Sequence, residues 1–166
     1  MEELKYWLWL SKIKGLGSIK TQKLIKQYKT PQTIYSLNIK ELMKVEGIGE
    51  KVAKEILNKK YKENLEQQVD YLYRNNIELI TFKDNKYPKK LKEIYDMPIC
   101  LYVKGNSEIL NKFSIAVIGC RDNTKYGENV TDKLVSDLVN NNIITVSGLA
   151  KGIDSISHKV TVNKKR

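Results

Sequence analysis

Two glycine-containing segments hold the residues of this sequence that are best suited to chemistry, and that chemistry is the binding of an anion. The first is Gly119-Cys120-Arg121 and the second runs from Ser147 to Asp154. Glycine lets backbone N–H groups approach a ligand closely, and an arginine holds a phosphate through two hydrogen bonds at once. The glycines alone would also suit tight strand-to-helix turns, but the pair of segments with Arg121 favours a phosphate site. The candidate phosphate-binding residues are Gly119, Cys120, Arg121, Ser147, Gly148, Lys151 and Gly152.

Each segment follows an apolar run that is typical of a buried β-strand, at residues 115–118 and 143–146. The stretch between the strands predicts a helix that starts near Thr124, a good N-cap, with an apolar stripe of Val130, Leu134 and Leu138. Parallel strands joined in this way bring both loops to the carboxyl edge of the sheet, where α/β folds bind ligands. Each loop also leads into a helix N-terminus, whose dipole favours an anion. Neither loop matches GxGxxG or GxxxxGK[ST], which argues against ordinary NAD or ATP enzymes.

The front of the chain predicts a small helical domain built from two similar halves. Residues 42–56 resemble a helix-hairpin-helix motif, with Gly47 and Gly49 in the hairpin, and a weaker copy has its first hairpin glycine, Gly15, 32 residues earlier. In that family the hairpin N–H groups hold a DNA phosphate without reading sequence. The candidate DNA contacts here are Gly47, Gly49 and Lys51, although paired copies also serve as packing units. Trp7 and Trp9 are expected in the core.

The middle of the chain predicts two more strands, at residues 77–82 and 99–103, with a short helix bracketed by Pro88 and Pro98. A preceding helix carries an apolar stripe of Leu65, Val69, Leu72 and Tyr73. The predicted fold class is therefore α/β. It has a helix-hairpin-helix (SAM-like) domain over residues 1–60, a linker helix over 61–76 and an incomplete Rossmann-like parallel sheet over 77–166.

The net charge of +11, with a pI near 9.5, indicates a nucleic-acid partner. The excess is concentrated at the front, since residues 1–60 contain 13 Lys against 6 Glu, a net of +7. An AT-rich genome, which favours Lys, Asn and Ile codons together, would produce part of this excess without selection for binding. No apolar run of 18 residues predicts a membrane span. Cys100 and Cys120 are interpreted as buried thiols of a cytoplasmic protein rather than as a disulfide.

Taken together, these motifs resemble the DNA-processing protein A family, also called Smf. The resemblance covers residues 1 to about 160 and is carried by Tyr87-Pro88, Leu91, Ile94, Asp96, Pro98, Leu101-Tyr102, Lys104-Gly105, Ile118-Gly119-x-Arg121, Tyr126-Gly127, Ser147-Gly148-Leu149-Ala150-x-Gly152-Ile153-Asp154 and His158. It implies a Rossmann-like domain that binds single-stranded DNA and helps to load the RecA recombinase during natural transformation. It also implies dimers formed through that domain. No cofactor is predicted.

Carried over by position, Arg121 matches the loop arginine that contacts DNA phosphate, and the loop from Gly148 to Asp154 forms the neighbouring wall. Cys120 stands where the family usually has Ser, and a thiol is a weaker hydrogen-bond partner than a hydroxyl. The family's Rossmann domain continues well past His158, so this chain is expected to be a C-terminally truncated member. An unfinished sheet would make residues 77–166 marginally stable or self-associating.

No catalytic residue is assigned. His158 is the only histidine, and no nucleophile with a base and an orienting acid is identifiable around it. Asp154 is expected at a helix start facing the dipole, and Asp154 and His158 are expected to pair with each other or to cap backbone. The chain is therefore predicted not to be an enzyme and to bind no metal. Two alternatives stay open: a nucleotide-binding hydrolase resembling nucleoside monophosphate phosphoribohydrolases, and an inactive fragment.

Overall fold

The computed structural model describes residues 2–164, with the side chains of residues 3–164, and divides the chain into two compact units. Unit 1 is Met1–Asn111 and unit 2 is Lys112–Arg166. The predicted division placed residues 77–111 with the later strands, but the structure places them in unit 1, because their strands pack on its helices. The last two residues of the predicted 77–166 domain lie outside the described residues. Within residues 2–164 we find no helix of the length and apolarity that a bilayer crossing requires.

Unit 1 consists mainly of short helices around one hydrophobic core. Trp7 and Trp9, which the sequence predicted to be core residues, are both buried in it. The helices are α1 Glu2–Lys12, α2 Gly17–Tyr28, α3 Pro31–Tyr35, α4 Ile39–Leu42, α5 Glu50–Leu57 and α6 Leu65–Arg74, with a 3₁₀ turn at Lys59–Tyr61.

The two predicted hairpins form equivalent turns. In the first, the Leu16 N–H donates to the Ile13 carbonyl, and in the second the Ile48 N–H donates to the Val45 carbonyl. All four side chains are buried. The same 32-residue shift relates the buried Thr21 to the buried Ala53, so the repeat predicted from glycine spacing is also a repeat of packing positions.

Helix α6 belongs to this core and is not a separate linker. Leu65, Val69 and Leu72 are buried among the residues of α1 and the following strand, as the predicted stripe requires. Tyr73, the fourth member of that stripe, is half exposed, which corrects the prediction for it.

The first two strands, β1 Ile77–Thr81 and β2 Cys100–Lys104, pair with each other antiparallel, with Ile77 opposite Lys104 and Thr81 opposite Cys100. They do not join a four-stranded parallel sheet, which corrects the sequence-based expectation. The physical reason is the connection, which contains only the 3₁₀ turn Lys89–Glu93. A parallel pair needs a crossover, usually a full helix.

Unit 2 is a βαβα arrangement: β3 Ser114–Ala116, α7 Lys125–Asn140, β4 Ile144–Val146 and α8 Ile153–Lys164. The strands β3 and β4 are parallel, with Ile115 opposite Thr145. The Thr124 hydroxyl accepts the Gly127 N–H, which confirms the predicted N-cap of α7. This small parallel sheet with its crossover helix confirms the α/β fold class.

The buried face of α7 differs from the predicted one. Its buried residues are Thr131, Val135 and Val139, whereas Val130 and Leu134 are about half exposed. Leu138, the third residue of the predicted stripe, is partly buried against the core of unit 2, as predicted. The two stripes differ by one residue, or about 100° around the helix. An apolar pattern does not identify this face, because Thr131 is polar. It can be buried because its hydroxyl donates to the Gly127 carbonyl within the helix.

Candidate phosphate-binding site

The two loops singled out in the sequence end adjacent parallel strands and meet at one edge of the unit 2 sheet. The Val117 N–H donates to the Val146 carbonyl (N to O 2.9 Å), which extends the ladder to the start of both loops. Beyond this point, the Ile153 N–H donates to the Cys120 carbonyl at 3.2 Å. The Ser147 hydroxyl donates to the Val117 carbonyl at 2.7 Å. The structure therefore brings the loops together on the same rim.

Gly152 is where the loops approach most closely. Its φ is +82°, and a Cβ placed on it would lie 2.2 Å from the Cys120 carbonyl oxygen and 2.4 Å from that of Arg121. Both the left-handed backbone and the lack of space require glycine here. The carbonyl groups of the first loop thus face the second loop, while the side chains of Cys120 and Arg121 are exposed.

The other two glycines of the loops pack on the first turn of α8. A Cβ on Gly119 would lie 2.7 Å from the Ile153 side chain, and one on Gly148 would lie 2.8 Å from Asp154 Oδ2. These glycines are therefore needed for the packing of strand ends on a helix start. Their backbones are not lined up as an open row of free N–H groups.

Asp154 binds backbone amides of both loops, and these partners were not predicted from the sequence. The Gly119 N–H donates to Oδ1 at 3.4 Å and the Gly148 N–H donates to Oδ2 at 3.0 Å. The side chain is buried, with 6% of its residue surface exposed. Of the two expected roles, capping of backbone is observed. Pairing with His158 is not observed, since the two Asp154 oxygens bond to Gly119 and Gly148 and, among the described residues, no hydrogen bond or ion pair joins Asp154 to His158.

Two positively charged side chains lie at the rim and could contact a phosphate. Arg121 and Lys151 are exposed, and no salt bridge involves either of them within residues 2–164. Cys120 is a free, exposed thiol, which corrects the prediction that it is buried. The correction follows from its position, because it lies beyond the end of β3, in the loop itself.

Two further rim residues were not predicted as site residues. Tyr126, in the first turn of α7, is 78% exposed, and Leu149, at the tip of the second loop, is 76% exposed. Leu149 also has a φ of +56°, an uncommon value for a residue that is not glycine. The sequence signal for Tyr126 is an aromatic residue two positions after a helix cap, where nothing in a core pattern requires it.

The second hairpin of unit 1 is less suited to an anion than its glycines indicated. Gly47 has a φ of +85° and Gly49 is the N-cap of α5, as the motif requires. Lys51 is exposed, but Glu46 and Glu50 flank the turn and hold Lys23 and Lys54 in ion pairs at 2.9 and 2.6 Å. Carboxylates at a helix start compete with a phosphate for the same dipole.

The first hairpin lacks these carboxylates. Helix α2 has no acidic residue in its first turn, and its N-cap, Leu16, makes no side-chain capping bond. Lys20 lies beside the turn, where its ammonium donates to the Gly15 carbonyl at 3.2 Å. Of the two hairpins, the first therefore has the more favourable electrostatics for a DNA phosphate.

The fold and these loops define a class of protein: a tandem helix-hairpin-helix unit followed by a Rossmann-like unit with two glycine-containing loops at one sheet edge. Comparison with family models agrees, since residues 9–59 match the SAM-like helix-hairpin-helix tandem. Residues 78–166 match the DNA recombination-mediator protein A family, and the chain belongs to that family.

Relatives extend this match over almost the whole chain. It is 29% identical over 160 residues to Protein Smf of Synechocystis, covering 94% of this chain and 40% of the relative. It is 44% identical over 75 residues to the DNA processing protein DprA of Streptococcus pneumoniae, covering 45% of this chain and 26% of the relative. The X-ray structure of that pneumococcal protein is similar to 97% of this chain at 27% identity, with a TM-score of 0.71. This chain covers 54% of the solved chain, so it spans a quarter to about half of the relatives' lengths.

Proposed function

We propose that this chain acts in DNA processing and that the two loops of unit 2 hold the phosphodiester backbone of single-stranded DNA. The observation that carries the proposal is the convergence of both loops on one sheet edge, where Arg121 and Lys151 are exposed and have no acidic partner among the described residues. The relatives support it, because two of the curated ones are named DNA processing protein.

Arg121 is the main phosphate contact in this proposal. Its guanidinium presents several donors in a plane and matches the oxygens of one phosphate. Lys151, on the second loop, adds a mobile point charge that a neighbouring phosphate of the same strand meets. Cys120 contributes only a weak donor, since a thiol replaces the stronger hydroxyl.

The bases would meet the exposed ring of Tyr126. Aromatic side chains bind single-stranded nucleic acid by stacking, largely independently of base identity. A site of this kind combines a charged rim with one aromatic surface and has no sequence preference of its own. Binding that depends on the backbone and on stacking matches the general role of a DNA-processing protein.

No step of catalysis is part of the proposal. Among the described residues, the Ser147 hydroxyl is already bonded to the Val117 carbonyl, and the Asp154 carboxylate is already held by two backbone amides. The resemblance to the family adds two partners, RecA and a second copy of the chain. Exposed apolar residues of unit 2, among them Ile118, Val146 and Leu134, support self-association. Pull-down with purified RecA and sedimentation of the protein alone test these two partners.

The central experiment titrates the protein with a labelled single-stranded oligonucleotide at several salt concentrations. Affinity should fall steeply with salt, because phosphate binding releases counterions. Arg121→Ala should lower affinity and reduce the slope of log K against log salt by about 0.7, the value for one phosphate contact on a single strand. Arg121→Lys should recover part of the affinity, since the charge returns without the planar donors.

Arg74→Ala is the matched control, because Arg74 is an exposed arginine on α6. Wild-type affinity in Arg121→Ala, or an equal loss in Arg74→Ala, would remove the loops from the proposal. Release of a free base from a nucleoside monophosphate would support the hydrolase alternative. Absence of binding by the wild-type chain would support the inactive alternative.

A further inference from the structure

Asp154 lies between the two loops and accepts backbone N–H groups from both of them. Each of its carboxylate oxygens accepts one N–H group, Oδ1 from Gly119 and Oδ2 from Gly148. These donors lie 35 and 6 residues away in the chain and end different strands. A carboxylate that bridges two loops in this way acts as an internal anion.

The fit around this carboxylate is close. Gly148 leaves no room for a Cβ, which would lie 2.8 Å from Asp154 Oδ2. Asp154 is also in the first turn of α8, where a negative charge is stabilised by the helix dipole. Hydrogen bonds to a charged acceptor are stronger than neutral ones. The carboxylate thus has two donors and a favourable dipole, and it needs no ligand.

We infer that Asp154 is the positioning and specificity-determining residue of the loops, an inference that rests on the proposed DNA site. It holds both loops in register, and its charge excludes a free or terminal phosphate from the floor between them. Arg121 and Lys151 then form an outer rim, which binds a phosphate at the protein surface and not between the loops.

The ligand class that fits such a rim is the internal phosphodiester of a polymer. A terminal phosphate carries a charge of about −1.5 to −2 at neutral pH and binds best where several backbone N–H groups enclose it. Here two of those groups are already used and a like charge lies beside them. A phosphodiester carries a single charge, and the adjacent nucleotides of its strand also contribute to binding. Contact with the rim cations is therefore sufficient to bind it. The structure therefore favours a DNA strand over a mononucleotide.

Amide exchange of the free wild-type protein tests the positioning role without any DNA. The Gly119 and Gly148 amides should exchange slowly, whereas the amide of Leu149 at the exposed loop tip should exchange fast. Titration with inorganic phosphate should leave the Gly119 and Gly148 resonances unshifted. A single-stranded oligonucleotide should shift the resonances of Arg121 and Lys151 and leave the two glycine amides protected.

Asp154→Asn removes the charge at constant size and turns one acceptor oxygen into a donor. One glycine amide then loses its partner, and its exchange should speed up about tenfold or more, as the loss of a buried charged acceptor implies. Inorganic phosphate should now shift that amide, a gain that a purely structural role would not produce. Oligonucleotide affinity should fall about fivefold or more, because Arg121 and Lys151 are no longer held in register.

Asp137→Asn is the matched control, since Asp137 is an exposed acid on α7 of the same unit. It removes the same negative charge, and this loss alone should raise DNA affinity slightly. A fall in affinity for Asp154→Asn and a slight rise for Asp137→Asn would therefore separate the positioning role from the effect of net charge. The inference is overturned if the wild-type Gly119 and Gly148 amides exchange as fast as that of Leu149, or if inorganic phosphate shifts them in the wild type. It is also overturned if Asp154→Asn binds the oligonucleotide as tightly as Asp137→Asn.

The exchange and phosphate measurements decide the inference even if Asp154→Asn fails to fold. A wild-type chain that binds no oligonucleotide would end the proposed function, while the exchange data would still report whether Asp154 holds the loops. The two failures are therefore distinguishable.

Discussion

Gly152 and Cys120 meet backbone to backbone, with room for no side chain between them. A Cβ on Gly152 would lie 2.2 Å from the Cys120 carbonyl oxygen, and the Gly152 φ of +82° already disfavours any other residue. This contact joins the loop after β3 to the residue that precedes α8. The close approach of the two proposed phosphate-binding loops therefore requires glycine at position 152.

Replacing Gly152 with alanine should separate the loops. The left-handed backbone costs about 1–2 kcal/mol for an L-residue, and forcing a methyl group into filled space adds about 1–3 kcal/mol. We expect amides of residues 114–119 and 144–148 to exchange faster by the corresponding factor, and oligonucleotide binding to be lost. Nuclear magnetic resonance exchange measurements check the first effect and fluorescence titration the second.

Gly105→Ala is the control for backbone strain alone. Gly105 has a φ of +103° but open space around the position of a Cβ. Its local amides should show only the conformational cost of about 1–2 kcal/mol. Equal effects of the two substitutions would contradict the importance of the contact between Gly152 and Cys120.

Tyr126→Ala should weaken oligonucleotide binding without changing its salt dependence. Loss of one stacked base costs about 1–3 kcal/mol, whereas the number of neutralised phosphates stays the same. Tyr126→Phe should retain the affinity, because the ring alone provides the stacking surface. A reduced salt slope in Tyr126→Ala would show that the variant has disturbed the cations and would contradict the stacking role.

The two cysteines should differ sharply in reactivity. Burial, with a smaller contribution from the Asp84 charge, raises the pKa of the Cys100 thiol to about 12. Because the thiolate is the reactive form, Cys100 should resist alkylation from neutral pH up to well above pH 9 in the folded protein. Exposed Cys120 should react, and peptide mass spectrometry after brief iodoacetamide treatment identifies the modified residue.

Cys120→Ser extends this test to the proposed site. It should abolish the fast alkylation and tighten oligonucleotide binding modestly, because a hydroxyl is a better partner for a phosphate oxygen than a thiol. Rapid labelling of Cys100 in the native protein would contradict the raised thiol pKa on which the prediction rests.

The first hairpin of unit 1 should affect DNA binding more than the second. Lys20 lies beside a helix start without acidic residues, whereas Lys51 follows a turn that Glu46 and Glu50 flank. Lys20→Glu should therefore lower oligonucleotide affinity and the salt slope, and Lys51→Glu should change both less. A larger effect of Lys51→Glu than of Lys20→Glu would instead support DNA contact by Gly47, Gly49 and Lys51. No effect of either substitution would make both hairpins packing units.

The sequence predicted well whatever depends on neighbours along the chain. The strands at both loops, the N-cap at Thr124 and the repeat of hairpins follow from local patterns, since capping, turn geometry and apolar spacing act within a few residues. The buried face of α7 was predicted wrongly although it is local, because Thr131 satisfies its hydroxyl within the helix and so occupies a core position. A polar residue of this kind is invisible to an apolar pattern.

By itself, the sequence determined the order of strands, loops and helices, the excess of positive charge and the presence of glycines at both loops. Only the tertiary structure decided that β1 and β2 pair antiparallel and that Asp154 binds the amides of Gly119 and Gly148. The physical reason is that these outcomes depend on contacts between residues far apart in the chain. A carboxylate at a helix start has the same local sequence whether it faces solvent or joins two loops.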